Sequence, residues 1–428
     1  MESFASANYQ RVTSQYLKTQ KTQSHMLKLA FRNIFRNRLR TTLTLAAIIT
    51  GVIAIIISGG FVEDVFVQLR ESTIHSRIGH VQIFRRGYSE FGRREPSRYM
   101  IDQPKVVVDA VQSIPHVQAV MTRVNFSGLA NNSRADLPII GEGVEPDKEE
   151  RLGTATTIVA GRPLQDTDAF GAVIGEGVAA ALHLRPGSFV TLMVNTSEGA
   201  LNTLEYEVVG VFRTFSKEYD DRAVRIPLAA AQELLFTRSV HSVVMLLDDT
   251  STTDIVTATL KARLDPLGYE VKPWHELADF YQKTEALYRR QFGALQSIIL
   301  VMLVLSVAST INMVVYERTG EFGTLLALGL RRRQIFKLVL LENALLGLLG
   351  SLLGAIVGVA LAGVISGIGI AMPPPPGSNI GYTATIRLVP WVLVVATLIG
   401  ALAAVMAAVL PARRASRLPV VDALRHNI

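Results

Sequence analysis

Apolar residues in this chain gather into four long runs, 41–62, 292–316, 338–372 and 388–412. As helices rising about 1.5 Å per residue, each is long enough to cross a bilayer core of about 30 Å. Between the first and second runs the pattern changes to short apolar segments broken by Gly and Pro. There, strands are predicted at 80–84, 116–125, 137–144, 189–194, 205–212 and 242–247, helices at 104–114, 228–235 and 252–264, and 172–177 is read as running from a strand into a helix over 177–184. Turns are expected at 161–164, 186–187 and 265–268. Mixed strands and helices predict an α+β domain over 63–290, compatible with two subdomains. Ahead of the first run, Leu27, Ala30, Phe31, Ile34 and Phe35 recur at helical spacing, with Lys28, Arg32, Asn33 and Arg36 between them. That pattern predicts an amphipathic helix with a basic face, lying on a membrane surface or packing on a partner.

Charge orients the four runs. Lys28, Arg32, Arg36, Arg38 and Arg40 precede the first. Arg318, Arg331, Arg332, Arg333 and Lys337 separate the second and third, and Arg413, Arg414, Arg417 and Arg425 follow the fourth. The loop between the third and fourth runs carries only Arg387. Because Lys and Arg concentrate on cytoplasmic flanks, both termini and the 317–337 loop are expected inside and the 63–290 insert outside. The first run, too long for a signal-peptide core, reads as a signal anchor. Composition agrees: 49% of residues are hydrophobic and 18% charged, and the mean hydropathy is +0.31, too apolar for an ordinary soluble chain. The net charge of +7 is accounted for by the membrane flanks, where it meets anionic headgroups, so nucleic acid is not an expected partner. Cysteine is absent, so the insert, about 225 residues long, must be held by its own core.

The chain carries little that could perform chemistry. No G-x-x-x-x-G-K-[ST] loop is present to cradle ATP phosphates. There is no cysteine nucleophile, no H-E-x-x-H, no G-x-S-x-G elbow, and the eight histidines are scattered. No metal or cofactor is expected on the chain, and it does not read as an enzyme. Within the apolar runs, Gly350, Gly354, Gly358, Ala362 and Ser366 recur every four residues, as do Ala396, Gly400, Ala404, Ala408 and Ala412. Small residues let helices approach closely in lipid, so the third and fourth helices are expected to pack together through these stripes; packing on another subunit is the alternative. Glu342 lies about one turn inside the third run. A carboxylate there needs a partner, and an arginine at the inner boundary is within reach, which favours an anchoring or coupling role over a proton relay. Asn312 in the second run is an expected interhelical hydrogen bonder.

Several segments carry a resemblance. Glu317-Arg-Thr-Gly-Glu-Phe-Gly-Thr-Leu-Leu-Ala-Leu-Gly-Leu-Arg-Arg-Arg-Gln-Ile-Phe336 followed by Glu342, Ala30-Phe-Arg-Asn-Ile-Phe-Arg-Asn-Arg-Leu-Arg-Thr-Thr-Leu-Thr44 and Leu410-Pro-Ala-Arg-Arg-Ala-Ser-Arg-Leu-Pro-Val-Val-Asp-Ala-Leu424 resemble signature segments of the FtsX-like, MacB-type ABC permeases. Val173-Ile-Gly-Glu-Gly-Val-Ala-Ala-Ala-Leu-His-Leu-Arg-Pro-Gly-Ser-Phe-Val-Thr191 and Val208-Val-Gly-Val-Phe-Arg-Thr214 resemble that family's ectodomain. The resemblance implies four transmembrane helices in a one-plus-three arrangement. A cytoplasmic N-terminus (1–40) precedes the first helix (41–62). A MacB-like periplasmic domain follows at 63–290, then an FtsX-like permease domain at 291–428, with helices at 292–316, 338–372 and 388–412. It implies an inner-membrane dimer of this permease with itself or a paralogue, served by separate ATPase subunits that hold ATP and magnesium. The moderate insert length and Gly79-His-Val-Gln-Ile83 are closest to the lipoprotein-releasing branch (LolC and LolE type). For this chain that branch implies a lipoprotein substrate and a periplasmic carrier. MacB-like efflux of peptides, toxins or drugs, and FtsX-like regulation of a cell-wall hydrolase, are the alternatives.

The 317–337 loop has a physical role in this picture. Residues 319–330 read as a helix with Phe322, Leu325, Leu326 and Leu328 mostly on one face, a charged and apolar knob that a partner ATPase can grip. Leu325 and Leu328 are the expected anchors. Glu317, Arg318 and Glu321 supply the charge around them, and Gly323 and Gly329 permit close approach or a turn. Leu277, Phe280, Tyr281, Leu287 and Tyr288 form an apolar stripe leading into the second run, predicting a helix that continues outward from the membrane.

Overall fold

The computed structural model of the chain describes residues 38–92, 94–153, 155–374 and 381–417. The amphipathic helix expected over 27–36 lies outside the described residues, as does 418–424 of the resemblance's closing segment. The chain forms two units: one built from residues up to Val65, Tyr288–Ile370 and Ala384 onward, the other from Phe66–Leu287 and Ala371–Thr383.

Apolar composition and length build the first unit from helices: α1 (Arg38–Thr73), α2 (Asp279–Glu317), α3 (Thr319–Ala327), α4 (Arg332–Ile368) and α5 (Pro390–Arg417), of which Phe66–Thr73 and Asp279–Leu287 belong to the second unit. Among the described residues, four helices are long and apolar enough to cross a membrane. The shortest, α5, has 28 residues, or about 42 Å. α1 and α2 run beyond the apolar runs, to Thr73 and from Asp279, because helical spacing continues through the polar flanks. The expected boundary at 337/338 falls inside α4, which begins at Arg332, and α4 stops at Ile368 rather than 372. Gly369 (φ 71°) ends it, and Ile370–Met372 pairs as a strand with Tyr382–Ala384.

Small residues set how these helices pack. A β-carbon on Gly350, Gly354 or Gly358 would come within 2.9, 2.9 or 3.0 Å of Ile48, Val52 or Ile56 on α1. The numbers rise together, so α1 and α4 run parallel. The corresponding contacts of Gly347 with Ala404, and of Gly400 with Ser351, pair α4 with α5 in antiparallel sense. The expectation that the Gly350–Gly354–Gly358 stripe faces α5 is therefore corrected: α4 meets α5 through its neighbouring face, and the stripe meets α1. Gly51 against Leu303 and Gly59 against Gln296 set α2 antiparallel to α1. The core between them is Ile48, Val52, Ile56, Leu303, Val307, Ile311 and Val315, with Ala403, Ala404 and Ala408. Near the α5 start, buried Asp64 of α1 accepts from Thr385 N (2.8 Å) and Thr385 Oγ1 (2.9 Å).

The second unit is a sheet of ten strands: β1 (Val81–Arg85), β2 (Val117–Asn131), β3 (Asp136–Val144), β4 (Thr157–Gly161), β5 (Gly171–Gly175), β6 (Phe189–Asn195), β7 (Leu201–Arg213), β8 (Ala223–Pro227), β9 (Ser242–Leu247) and β10 (Tyr269–Pro273). Their order is β10-β1-β9-β2-β3-β8-β5-β7-β4, with β6 paired to β2 and β7. β3–β8 and β5–β7 are parallel and the other pairs antiparallel. One hydrogen-bonded path thus joins strands that the sequence left open to division between two subdomains. Helices Pro104–Gln112, Leu228–Leu234 and Thr253–Leu264 bury Val107, Val111, Ala231, Leu234, Val256 and Leu260 in the same core as Val81, Ile83, Val190, Tyr206 and Val243.

Candidate functional site

α2 ends at Glu317, and one residue, Arg318, intervenes before α3 begins at Thr319. Arg318 is buried, and its guanidinium sets the geometry of the turn. Nη1 donates to Glu342 Oε2 of α4 (2.7 Å), and Nε donates to Glu321 Oε2 (3.0 Å). The group also stands 5.1 Å from the Phe322 ring centroid. A buried cation is stable only when its donors are satisfied, and here two carboxylates and an aromatic face do so. Glu342, placed by sequence inside an apolar run, finds its arginine 24 residues earlier in the chain. Thr319 Oγ1 donates to Tyr316 O (2.7 Å), covering a carbonyl freed where α2 stops.

The far end of α3 is fixed by its cap. Gly329 N donates to Leu326 O and Leu330 N to Leu325 O, both near 3.0 Å. With Gly329 at φ 95°, this is a Schellman cap, which glycine adopts without the steric cost of a side chain. Gln334 Oε1 then accepts from Arg331 N (2.7 Å) as α4 begins.

The structure sorts the expected anchors. Phe322 is 1% exposed and belongs to the helix core. Leu325 is half-buried against the same core, whereas Leu328 is 75% exposed at the tip, beside exposed Arg331, Arg332 and Arg333. Gly323 is buried and Gly329 exposed. Glu317, Arg318, Glu321, Phe322 and Glu342 are thus brought to one turn, while Gly350, Gly354 and Gly358 lie along α4 against α1, and Gly400 and Ala404 lie on α5. Asn312 is half-buried on α2 and, among the described residues, has no hydrogen bond to another helix. The sequence did not reveal Asp64, nor a buried ionic cluster in the second unit formed by Arg123, Glu142, Glu149 and Arg225. Only folding brings those residues together.

Helices fit to cross a membrane, a separate α+β unit between the first two, and a tight charged turn between the second and third define a membrane permease. A family model for the MacB-like periplasmic core domain matches residues 41–263, and one for the FtsX-like permease C-terminal region matches residues 294–420. The chain belongs to this MacB- and FtsX-like family of ABC transporter permeases. It is 22% identical over 417 residues to an ABC transporter permease of Methanocaldococcus jannaschii, covering 94% of this chain and 97% of that one. It is 23% identical to the macrolide export ATP-binding/permease protein MacB of Wolinella succinogenes, covering 93% of this chain and 60% of that protein. With the lipoprotein-releasing system transmembrane protein LolC of Neisseria meningitidis it shares 23% identity, covering 75% of this chain and 76% of that one.

Proposed function

We propose that this chain is the membrane subunit through which a separate ATPase, carrying ATP and magnesium, acts on a substrate outside the membrane. The observation that carries the reading is the turn at 317–329. A helix tip exposes Leu328 among arginines, and its base is wired through Arg318 to Glu342 on α4. A push on such a tip is borne by a buried ion pair and passes to α4 and, through Gly350, Gly354 and Gly358, to α1. Parallel α1 and α4, with α2 and α5 antiparallel to them, support the one-plus-three topology. In it, 317–337 lies on the side of the N-terminus and the second unit on the other, periplasmic in a bacterial inner membrane.

The substrate we favour is an acylated lipoprotein passed to a periplasmic carrier. Similarity along three quarters of the chain to a lipoprotein-releasing transmembrane protein supports this, as does Gly79-His-Val-Gln-Ile83, which stands where α1 gives way to β1. Efflux is the second reading, supported by similarity at the same identity to a macrolide exporter. A second permease copy or paralogue completes the complex in both. The test is purification in lipid nanodiscs with co-expressed neighbours, followed by mass spectrometry of bound proteins and lipids. Capture of an ATPase subunit with acylated lipoprotein supports release, and capture with an outer-membrane channel supports efflux. Robust ATP hydrolysis by the isolated chain overturns the division of labour.

A further inference from the structure

We infer that Arg123 and Arg225 are positioning residues that clamp the π-helical turn Ile74–Ile78, where α1 ends, onto the sheet of the second unit, so that turn and sheet move as one body. The inference rests on the proposed role of α1 as a moving part. α1 gives way at Thr73 to a π-helical turn, Ile74–Ile78, closed by Gly79 N donating to Ile74 O (2.9 Å). A helix end leaves carbonyls without partners and carries the negative pole of the helix dipole. Two buried cations from different strands meet those carbonyls. Arg225 of β8, 4% exposed, donates from Nη2 to Ser76 O (2.9 Å), and Arg123 of β2, 2% exposed, donates from Nη1 to Arg77 O (2.6 Å).

The opposite side of each guanidinium is fixed to a carboxylate of the second unit, Glu142 on β3 and Glu149 on the helix Pro146–Leu152. Arg225 Nε donates to Glu142 Oε2 (3.2 Å), its register partner on β3. Arg123 Nη2 donates to Glu149 Oε1 (2.7 Å) and Oε2 (2.9 Å). Tyr219 donates its hydroxyl to Glu142 Oε2 (2.7 Å), and Arg77 Nε, from the turn itself, donates to Glu142 Oε1 (2.8 Å). Burial alone would push the Glu142 carboxyl up, but Arg77, Arg123 and Arg225 together hold it well below the usual carboxylate range. Three guanidiniums, those of Arg77, Arg123 and Arg225, face the carboxyl groups of Glu142 and Glu149. Stability does not call for this arrangement, because desolvating such a network costs about as much as its pairing returns, and apolar side chains of similar volume commonly do as well. What the network supplies is a single geometry, in which each guanidinium bridges helix end and sheet in a fixed fork.

The test uses the full chain in nanodiscs with its partner ATPase. The sequence has no cysteine, so Ser72→Cys on α1 and Glu198→Cys in the β6–β7 hairpin accept nitroxides uniquely for distance measurement. The expected result is one narrow distance, unchanged when ATP and magnesium are added. Arg225→Gln and Arg123→Gln should at least double its width without nucleotide and let it shift with ATP. Should the glutamine variants fail to fold, Arg225→Lys decides: it keeps the charge but cannot span Ser76 O and Glu142 together, so it should broaden the distance too. Narrow distributions in every folded variant overturn the clamp, as does an ATP-driven shift in the unsubstituted protein as large as in the variants. The nucleotide-free widths judge the clamp alone. An ATPase that fails to bind would instead remove the coupling reading.

Discussion

Leu328→Asp separates the proposed grip from the fold that carries it. Leu328 is 75% exposed, so almost all of its side chain is available to a partner. Burying a leucine contributes about 1.5–3 kcal/mol, and placing a carboxylate in the same apolar contact costs about 1–3 kcal/mol more. The ATPase should therefore bind more weakly by about 2.5 kcal/mol or more, roughly 70-fold or more. The fold should not register the change, since exposed substitutions stay within about 0.5 kcal/mol. Phe322→Ala is the contrast: a ring 1% exposed in the helix core should cost about 3–5 kcal/mol of stability. Leu325→Asp would confuse the two effects, because Leu325 already packs on the core. The assay is binding of the purified ATPase to nanodisc-held permease by interferometry, with thermal unfolding of the same samples. Wild-type affinity for Leu328→Asp, with stimulated ATP hydrolysis intact, would refute the grip.

Arg318→Gln removes the guanidinium from buried Glu342 and should cost about 3–5 kcal/mol, Glu342→Gln should cost less because Arg318 keeps Glu321 (3.0 Å), and Arg318→Met with Glu342→Leu should cost less than Arg318→Gln alone; a double-mutant cycle on unfolding in detergent reads this, and additive costs would deny the pair. Gly354→Leu should separate α1 from α4, because a β-carbon there lies 2.9 Å from Val52 Cβ and 3.2 Å from the Ile49 backbone, while Gly363→Ala, with nothing within 4 Å, should be neutral; crosslinking between cysteines placed on the two helices distinguishes them. The second unit should weaken in acid. Burial lowers both His80, helped by neighbouring His75, and His241 from 6.5 to about 4. Both therefore fold neutral while the unfolded chain takes up protons below pH 6.5. Their contribution is complete above that pH and is lost toward pH 4, about 2 kcal/mol each by pH 5. Unfolding followed at Trp274 in a Trp391→Phe background should show the fall, and stability independent of pH between 7.5 and 5 would contradict it.

What could be read from sequence follows from what each environment demands. A single segment can cross lipid with its backbone satisfied only as a long apolar helix, so the four runs announced themselves, and a glutamate inside one of them announced a cation nearby. Fully buried, mostly apolar strands such as Ser242–Leu247 were equally plain. β8 was missed because Arg225 stands at its centre, and an arginine in a short apolar segment reads as a break. β10 ends in Pro273 and β4 in Gly161, both residues that argue against strands. The helix Pro146–Leu152 is mostly charged and has too short an apolar face to register. The partner of the Gly350 stripe was not legible because Gly347 and Ser351 form a second small-residue stripe one position away. Periodicity names two close-packing faces without saying which neighbour meets which. The ionic cluster draws on strands and turns more than a hundred residues apart in the chain, each contribution looking like an ordinary surface charge.

α1 emerges as the element on which the rest of the permease unit is organised. Leu303 of α2 fills the space over Gly51, Val392 of α5 the space over Gly59, and three glycines of α4 receive Ile48, Val52 and Ile56. Gly60 O accepts from Arg387 N (3.1 Å). A helix gripped on several sides by side chains at van der Waals contact has little room to slide past its neighbours, since close-packed surfaces do not deform continuously. Displacing α4 through Arg318 and Glu342 must therefore displace α1 as well. The same helix runs on as a continuous element to Thr73, where its closing turn is held by Arg123 and Arg225. Small residues pack α1 against its neighbours within the first unit, and buried arginines hold the turn that closes it within the second; in the proposed coupling, each removes freedom with which the chain could yield to a force locally.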